Sequence, residues 1–321
     1  MNVLLTSVGR RVALLRAFRH EIARYAPGGR VLGADLSNLS GGFHDADQGF
    51  LVPRCTDPSY VPRLLEIVRR EKVRVIVPLI DTELPVLARH REAFLGEGCR
   101  AMVSGLEQVL LTRDKARSVQ RFRELGFDAP RVFTAAELDR PEALSYPLFL
   151  KPADGSSSIG AARVDGPEDM RYALARTRSP VVQSFEEGEE FTLDVFCDLG
   201  GAVRCVVPRK RLETRAGEVS KGVTVKDRGM MDAAAKLVTA LGGCRGCVTL
   251  QCFRRDGRYA FFEANLRFGG GYPLSYAAGA NFPGWILRMV SGEGIPDFDG
   301  WEENLLMLRH DDAVFVRGWR H

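Results

Sequence analysis

The chain has 321 residues, enough for about two domains and a substantial hydrophobic core. Hydrophobic residues make up 45% and charged residues 27%, which excludes bulk disorder, and no apolar run reaches the ~18 residues of a membrane span. The net charge of +4 is spread along the chain without a basic or aromatic stripe, so we expect neither a nucleic-acid nor a membrane partner. The apolar segment Val3–Leu5 precedes the basic pair Arg10 and Arg11, which is the reverse of a signal peptide, and we expect a cytoplasmic protein.

The N-terminal third of the chain alternates strand-like and helix-like patterns. Apolar residues recur at helical spacing after the first β-rich run, from Val12 to Phe18. This alternation predicts an α/β unit with a parallel, doubly wound sheet. The predicted strands are Asn2–Ser7, Arg30–Asp35, Val73–Pro78 and Arg100–Val103, and the predicted helices include Val61–Glu71 and Leu84–Phe94.

Two loops follow strands of this predicted sheet and mark the edge where it would bind a ligand. They are Ser7–Arg11 and Asp81–Glu83. The first turn holds a single glycine, Gly9, and lacks the G-x-G-x-x-G pattern of dinucleotide-binding folds. A nicotinamide or flavin site is therefore not expected.

The pattern changes at Thr112, which we predict to cap a helix over Thr112–Leu125. A small α+β unit follows, and a polar link over Glu186–Glu189 separates it from a strand-rich remainder. The predicted elements of the small unit are the strands Tyr146–Lys151, Ala161–Val164 and Pro180–Phe185 and the helix Pro167–Arg176. Those of the remainder are the strands Phe191–Asp198, Ala202–Val207, Val248–Arg254 and Tyr259–Asn265 and the helices Met230–Leu241 and Gly284–Val290.

The seven cysteines do not form the paired spacing of a zinc site. Cys244 and Cys247 are a C-x-x-C pair, but no second pair and no nearby histidine completes it. Most of the others lie in strand-like runs, where reduced, buried thiols are expected.

A polar loop, Asp154–Gly160, follows the predicted strand that ends at Lys151. Its three consecutive serines, Ser156 to Ser158, lie between Gly155 and Gly160 and offer backbone N–H groups and hydroxyls with little bulk. Such a backbone can surround phosphate oxygens, and Lys151 could reach the same anion. The alternative is a surface hairpin loop.

A second polar cluster lies near a glycine-rich turn at Gly269–Gly271. Glu263 and Asn265 are two residues apart on one strand and therefore project to one face, and Gln251 lies on the strand expected to pair with it. These oxygen donors could hold Mg²⁺, and Arg267 follows on the same face, where a guanidinium could hold a phosphoryl group. The alternative is a polar strand end before a turn.

In this order along the chain, the motifs resemble those of the ATP-grasp superfamily. They are Asp114-Lys115, Phe149–Pro152 with its Gly/Ser loop, Gln183–Asp194 and Phe262–Arg267. Thr6–Arg11 and Val77–Glu83 resemble the preceding domain of carbamoyl phosphate synthetase large subunits and of the pyrrolysine-pathway ligase. The resemblance implies a pre-ATP-grasp domain over 1–111 and a two-lobed α+β ATP-grasp domain over 112–321. The small lobe would cover about 130–187 and the C-terminal lobe about 188–321.

The resemblance implies a role for each matched residue. Lys115 and Lys151 would contact nucleotide phosphates, with the 154–160 loop closing over the β- and γ-phosphates. Gln183, Ser184 and Phe185 would line the adenine pocket, and Glu190 would bind the ribose hydroxyls. Gln251, Glu263 and Asn265 would hold one or two Mg²⁺ ions, with Mn²⁺ as the alternative metal.

A basic segment, Arg209 to Arg211 together with Lys221, has two interpretations. It could bind an acyl phosphate and a substrate carboxylate, or it could be a solvated strand and loop. With the first interpretation, Arg209 and Lys210 join Arg267 as the expected catalytic residues.

The expected activity is an ATP-dependent ligase. A carboxylate would attack the γ-phosphate to give an acyl phosphate, and an amine would capture it with release of ADP and phosphate. The alternatives are a phosphotransferase of the carbamoyl phosphate type and a non-catalytic, ATP-binding regulatory protein. The expected partners are a small carboxylate and a small amine, and a homodimer is left open.

Overall fold

The structure is a computed structural model that describes residues 1–153, 160–215 and 217–319. Among these residues, no helix has both the length and the apolar character needed to cross a bilayer.

The first sheet is built from the N-terminal strands, all of them parallel, in the order β3-β2-β1-β4-β5. Its central strands are apolar on both faces because helices cover both sides. The strands are β1 (Asn2–Thr6), β2 (Val31–Asp35), β3 (Gln48–Leu51), β4 (Val73–Pro78) and β5 (Arg100–Ala101). The helices are α1 (Val12–Tyr25), α2 (Gly41–Asp45), α3 (Tyr60–Glu71), α4 (Leu84–Arg89) and α5 (Arg91–Gly96). The predicted doubly wound parallel sheet is confirmed.

The predicted helix Thr112–Leu125 is wrong at its start. The structure has two helices here, α6 (Leu106–Arg113) and α7 (Lys115–Glu124). Thr112 lies inside α6, where its hydroxyl donates to the carbonyl of Gln108. The capping residue is Asp114, whose carboxylate accepts hydrogen bonds from two backbone N–H groups of α7.

The second sheet is small and antiparallel, in the order β7-β6-β8. Its strands are β6 (Leu148–Pro152), β7 (Ala162–Val164) and β8 (Pro180–Ser184), and α8 (Ala135–Leu138), a 3₁₀ turn (Pro141–Ala143) and α9 (Pro167–Arg176) accompany it. This unit has its own core, formed by Leu148, Leu150, Val164, Met170 and Val182.

The third sheet is antiparallel, in the order β13-β12-β9-β10-β11-β14. Its strands are β9 (Glu189–Cys197), β10 (Val203–Arg215), β11 (Glu218–Thr224), β12 (Gly246–Arg255), β13 (Arg258–Asn265) and β14 (Leu306–Leu308). The helices here are α10 (Arg228–Leu241), α11 (Tyr272–Ala277) and α12 (Phe282–Val290). The strand predicted to end at Val207 runs on to Arg215, so Arg209 to Arg211 lie on β10, while Lys221 lies on β11.

One continuous core joins the first and third sheets. Phe18 of α1 packs edge-on against Phe268, with ring centroids 6.1 Å apart, and Tyr276 of α11 donates to the carboxylate of Glu21 at 2.8 Å. Residues from both sheets belong to the same buried cluster, whereas the core of the second sheet is separate. The proposed domain boundary at 111/112 stays a prediction.

The buried carboxylate of Glu83 ties together the loops that follow β1 and β4. It accepts hydrogen bonds from the hydroxyls of Tyr60 (2.7 Å) and Ser7 (3.1 Å) and from the backbone N–H groups of Leu79 (2.8 Å) and Ile80 (3.2 Å). Burial raises the pKa of Glu83, while the hydrogen bonds from Tyr60 and Leu79 oppose that rise. Glu83 therefore fixes the positions of the two loops that form the ligand-facing edge.

Replacing Glu83 should show how much this edge depends on it. Glu83→Ala leaves buried donors without an acceptor and should lower the free energy of unfolding by about 2–4 kcal/mol. Glu83→Gln keeps the shape and should cost clearly less, as measured by urea unfolding. The control is Glu92→Ala, an exposed glutamate of α5. Equal effects of Glu83→Ala and the control would contradict this role.

Candidate functional site

A cavity of about 680 Å³ lies between the first and third sheets, and we call it the arginine cavity. The loops after β1 and β4 form one wall, and strands β9 to β13 with the glycine turn at Gly269–Gly271 form the other. Its described charged lining residues are Arg11, Asp81, Arg113, Lys115, Arg209, Arg211, Glu218, Glu263 and Arg267.

A second cavity, of about 600 Å³, lies between the second and third sheets, and we call it the sheet cleft. Four phenylalanines form its apolar surface, and two of them, Phe253 and Phe262, stack with their ring centroids 4.7 Å apart. The other two are Phe149 and Phe185. A flat aromatic ligand fits such walls, and the cleft's charged residues lie beside them.

The two cavities meet. Five described residues line both of them, so a ligand in one can touch a ligand in the other at this junction. The shared residues are Lys115, Arg211, Gly217, Gln251 and Glu263.

Lys151 lies in β6, almost fully buried, and lines the sheet cleft. Burial lowers the pKa of its ammonium to about 8; Glu263 opposes this shift and Lys115 adds to it. Lys115, at the first turn of α7, approaches the carbonyl of Pro152 at 3.5 Å. Two lysines thus approach one region of the cleft from different elements, as expected around a polyanion.

The three predicted metal ligands lie together on β12 and β13. Gln251 is directly opposite Glu263 in the antiparallel register. The Nδ2 group of Asn265 donates to Oε1 of Glu263 at 2.9 Å. Among the described residues no cluster of three or more histidines, cysteines, aspartates or glutamates could hold a metal. One carboxylate with two side-chain amides supplies oxygen donors of the kind that Mg²⁺ accepts when ligand phosphates complete its shell.

The predicted adenine-pocket residues lie at the edge of the second sheet. Gln183 is 3% exposed and lines the sheet cleft, and its Oε1 has no hydrogen-bond partner in the described part of the chain. Phe185 lines the cleft under the guanidinium of Arg163, 4.8 Å from the ring centroid. The hydroxyl of Ser184 is instead used in bonds within the protein: it donates to the carboxylate of Glu186 at 2.7 Å and accepts a hydrogen bond from the backbone N–H of Arg131.

Glu190 lies where the sheet cleft approaches the junction. Its carboxylate pairs with Nε of Arg211 at 3.3 Å. Burial raises the pKa of Glu190, Arg211 opposes that rise, and Glu263 adds to it. An acceptor of hydrogen bonds from hydroxyl groups is thereby available on the floor of the cleft.

Arg209 and Lys210 have different surroundings although they are neighbours on β10. Arg209 is 1% exposed and lines the arginine cavity, and its guanidinium donates to both oxygens of Asp194, at 2.8 and 3.1 Å. Lys210 projects to the opposite side, where it pairs with Glu189, and it is not among the described residues that line either cavity. Strand alternation separates the two, and the catalytic role of Lys210 stays a prediction.

Arg267 closes the arginine cavity by pairing across the two sheets. Its Nε and Nη2 donate to Oδ2 of Asp81, at 2.9 and 2.5 Å, and its Nη1 donates to the carbonyl of Phe268. The residue is therefore held in place, and it lines the cavity next to Asn265.

Part of the predicted phosphate loop lies outside the described residues. Gly155, Ser156, Ser157 and Ser158 belong to that part. Gly160 is described, with φ +75°, and does not line either cavity as described; a side chain there would press on Pro152 at 3.1 Å.

The sequence reasoning missed several residues of the arginine cavity. Glu218 lies on β11, a strand that was not predicted, and Arg113 ends a helix that was not predicted. Arg11 was named in a basic pair, in a loop and in a motif, but no binding role was given to it. The β-branched residues Val219, Val223 and Thr224 were the available signal for β11.

Two family models match the chain. One is described as the PylC-like N-terminal domain and matches residues 3–102, and the other, an ATP-grasp in the biosynthetic pathway with Ter operon, matches residues 176–311. Among curated relatives, the vancomycin/teicoplanin A-type resistance protein VanA of Enterococcus faecium is 26% identical over 58% of this chain and 62% of its own length. A D-alanine–D-alanine ligase of Halorhodospira halophila is 34% identical over 35% of this chain and 36% of its own length. The chain thus spans less than two thirds of these relatives.

Solved structures share the fold over nearly the whole chain. Biotin carboxylase from Campylobacter jejuni, solved as a β-γ-ATP complex, aligns with a TM-score of 0.73 at 16% identity, over 95% of this chain and 74% of that one. The L-amino acid ligase from Bacillus licheniformis aligns with a TM-score of 0.69 at 20% identity, over 90% and 73%.

The Arg209–Asp194 pair should be necessary for folding stability. Asp194→Asn leaves a buried guanidinium without a counter-charge and should lower the free energy of unfolding by about 3–5 kcal/mol. Urea unfolding measures the change. The control is Glu213→Gln, which removes the exposed partner of Lys221 and should leave the unfolding midpoint unchanged. A midpoint equal to that of the unmodified protein would mean that the buried pair contributes little.

Proposed function

Because the chain belongs to the ATP-grasp superfamily and begins with a PylC-like domain, we propose that it is an ATP-dependent ligase joining a carboxylate to an amine. The observation that carries this proposal is the junction of the two cavities. A nucleotide in the sheet cleft would present its terminal phosphate where an acid in the arginine cavity can reach it.

The sheet cleft suits a nucleotide in both shape and chemistry. Its phenylalanines offer faces for a base, and the unpartnered Oε1 of the buried Gln183 is an acceptor that an exocyclic amino group could satisfy. Glu190 would accept hydrogen bonds from the ribose hydroxyls. Lys115 and Lys151 would hold the phosphates.

Gln251, Glu263 and Asn265 would hold one or two Mg²⁺ ions, with Mn²⁺ as the alternative, because they place oxygen donors side by side on β12 and β13. When bound, the metal neutralises charge on the phosphates during transfer. The protein's own contribution is to hold the acid and the nucleotide in line.

The reaction follows from these positions. One carboxylate oxygen of the acid attacks the γ-phosphorus, the bond from that phosphorus to the β–γ bridging oxygen breaks, and ADP leaves. The resulting acyl phosphate is attacked by an amine, which gives up a proton and expels phosphate. Arg267 would stabilise charge at the acid side of the junction and Arg209 would bind the acid, and we assign no general base.

We propose that the protein is cytoplasmic, a compartment that keeps thiols such as its seven free cysteines reduced. A homodimer remains the oligomeric form to be tested.

The products distinguish this activity from its alternatives. With Mg-ATP, the correct acid and hydroxylamine in place of the amine, the enzyme should form a hydroxamate in step with ADP, because activation occurs at the γ-phosphate. Chromatography of the nucleotides and the iron(III) assay for hydroxamate measure the two products.

Each other outcome has a definite meaning. AMP and pyrophosphate as stoichiometric products would overturn the mechanism. A free phosphorylated acid accumulating without any amine would indicate the phosphotransferase. ATP binding without turnover in a screen of acids and amines would indicate a regulatory protein.

Lys151 should contribute strongly to nucleotide binding. Lys151→Met removes a buried cation beside the phosphates and should weaken Mg-AMP-PNP binding by at least ~10-fold, whereas Lys151→Arg, which keeps the charge, should lose less. Calorimetry measures both affinities. Lys236→Met, at an exposed lysine of α10, is the control and should bind normally. An unchanged affinity in Lys151→Met would contradict the placement of the phosphates.

A further inference from the structure

The arginine cavity holds more positive than negative charge at its end away from the sheet cleft. The described charged residues that line only this cavity are Arg11, Arg113, Arg209, Arg267, Asp81 and Glu218. Four guanidinium groups thus face two carboxylates. Asp194, which pairs with Arg209, balances one of these positive charges from outside the cavity lining. Guanidinium groups stay protonated at any physiological pH, so the remaining excess favours an anion that enters the cavity.

Arg209 has hydrogen-bonding capacity left over. Asp194 accepts from its Nε and Nη2, but its Nη1, buried from solvent, has no partner among the described residues. A buried donor without an acceptor costs about 1–3 kcal/mol, and the adjoining cavity is where an acceptor can be supplied. A Cβ atom at Gly271 would lie 2.2 Å from this Nη1, so glycine is needed there for the guanidinium to fit.

Arg11 shares its counter-ion with two other arginines. Glu218 lies 3.1 Å from Arg10, 3.4 Å from Arg11 and 3.2 Å from Arg309. Burial lowers the pKa of Arg11, Glu218 opposes that shift, and Arg267, Arg10 and Arg309 add to it. Of the three arginines around Glu218, Arg11 lines the cavity, and a Cβ at Gly270 would lie 2.6 Å from its Nη1.

Each of the three guanidinium nitrogens of Arg267 already has a partner in the protein. Its guanidinium already donates to Asp81 and to the carbonyl of Phe268. Arg113 is exposed to solvent and donates to the carbonyl of Asp81. The guanidinium groups left to bind a ligand inside the cavity are therefore those of Arg11, on the loop after β1, and of Arg209, on β10.

We propose that the acid activated here carries a second anionic group, a carboxylate or a phosphate, which Arg11 and Arg209 bind while the first carboxylate reaches the junction. This inference rests on the proposed ligase function and names its acid. The cavity of about 680 Å³ equals the liquid volume of roughly 20 water molecules, which leaves room for such an acid. An amino acid such as the D-alanine in the relatives' names would instead bring one carboxylate and an ammonium group, and the ammonium group would be repelled by the arginines.

Matched pairs of acids test the proposal, because the members of each pair are similar in size and differ in charge. The pairs are succinate and succinamate, L-glutamate and L-glutamine, and O-phospho-L-serine and L-serine. Phenylglyoxal modifies accessible arginines, and mass spectrometry of the Mg-AMP-PNP complex of the full chain then reports modification of Arg11. The more anionic member of at least one pair should slow this modification at least ~10-fold more than its partner.

Turnover provides the second measurement. In the ADP-release assay with hydroxylamine, the same anionic member should have the higher kcat/KM. Arg11→Ala should reduce that preference by at least ~10-fold, mainly through KM, and Gly270→Ala should act in the same direction by displacing the Arg11 guanidinium. Arg10→Ala is the matched control, because Arg10 shares Glu218 but does not line the cavity as described, and it should change the preference less than ~2-fold.

The outcomes separate this inference from the proposed function. Equal protection of Arg11 by both members of every pair, including no protection by either, overturns the inference. Turnover of the less anionic members at equal or higher kcat/KM also overturns it and leaves the ligase function in place. Protection by the anionic members without ADP release from any acid supports the binding site and overturns the ligase function instead.

Discussion

A buried guanidinium–carboxylate pair, Arg209 with Asp194, is the interaction on which the geometry of the site depends. The two residues lie on neighbouring strands, β10 and β9, and Ser275 of α11 also donates to Asp194, at 2.6 Å. The charge of Asp194 makes it tolerable to bury Arg209, and burying Arg209 places a cation at the cavity wall without solvent around it. Strand pairing, the position of α11 and the electrostatics of the cavity are therefore coupled through one carboxylate.

The register of β12 and β13 determines the geometry of the junction. Gln251 and Glu263 face each other across β12 and β13, and Asn265 follows Glu263 on the same face. Antiparallel pairing thus brings together donors that are 12 and 14 residues from Gln251 along the chain. The shared lining of the two cavities arises because this pair of strands forms the boundary between them.

Local periodicity predicted much of the fold and the side of the site that lies on regular strands. The doubly wound sheet and the common face of Glu263 and Asn265 follow from alternation over a few residues. The length of β10 was underestimated because its second half is charged. Strand alternation beyond Val207 would have placed Lys210 and Arg209 on opposite faces of the sheet. A cap chosen by residue type also failed at Thr112, since Asp114 two residues later is the better acceptor for α7.

The part that could not be predicted is the pairing of side chains distant in sequence. Arg267 pairs with Asp81, 186 residues away in the sequence, and Glu218 pairs with both Arg11 and Arg309, which lie near opposite ends of the chain. Such pairs depend on how the first and third sheets pack, which no short window of sequence contains.

The glycine run before α11 shows that the charge of the cavity depends on the backbone as well as on side chains. A Cβ at Gly271 would overlap the guanidinium of Arg209, and one at Gly270 would overlap that of Arg11. At Gly269 a Cβ would press on Thr249 at 3.1 Å. The run therefore keeps two cations close to the main chain, where they remain near the cavity while Asp194 and Glu218 balance only part of their charge. In the folded protein, the guanidinium groups of Arg11 and Arg209 therefore pack directly against the backbone of this glycine turn.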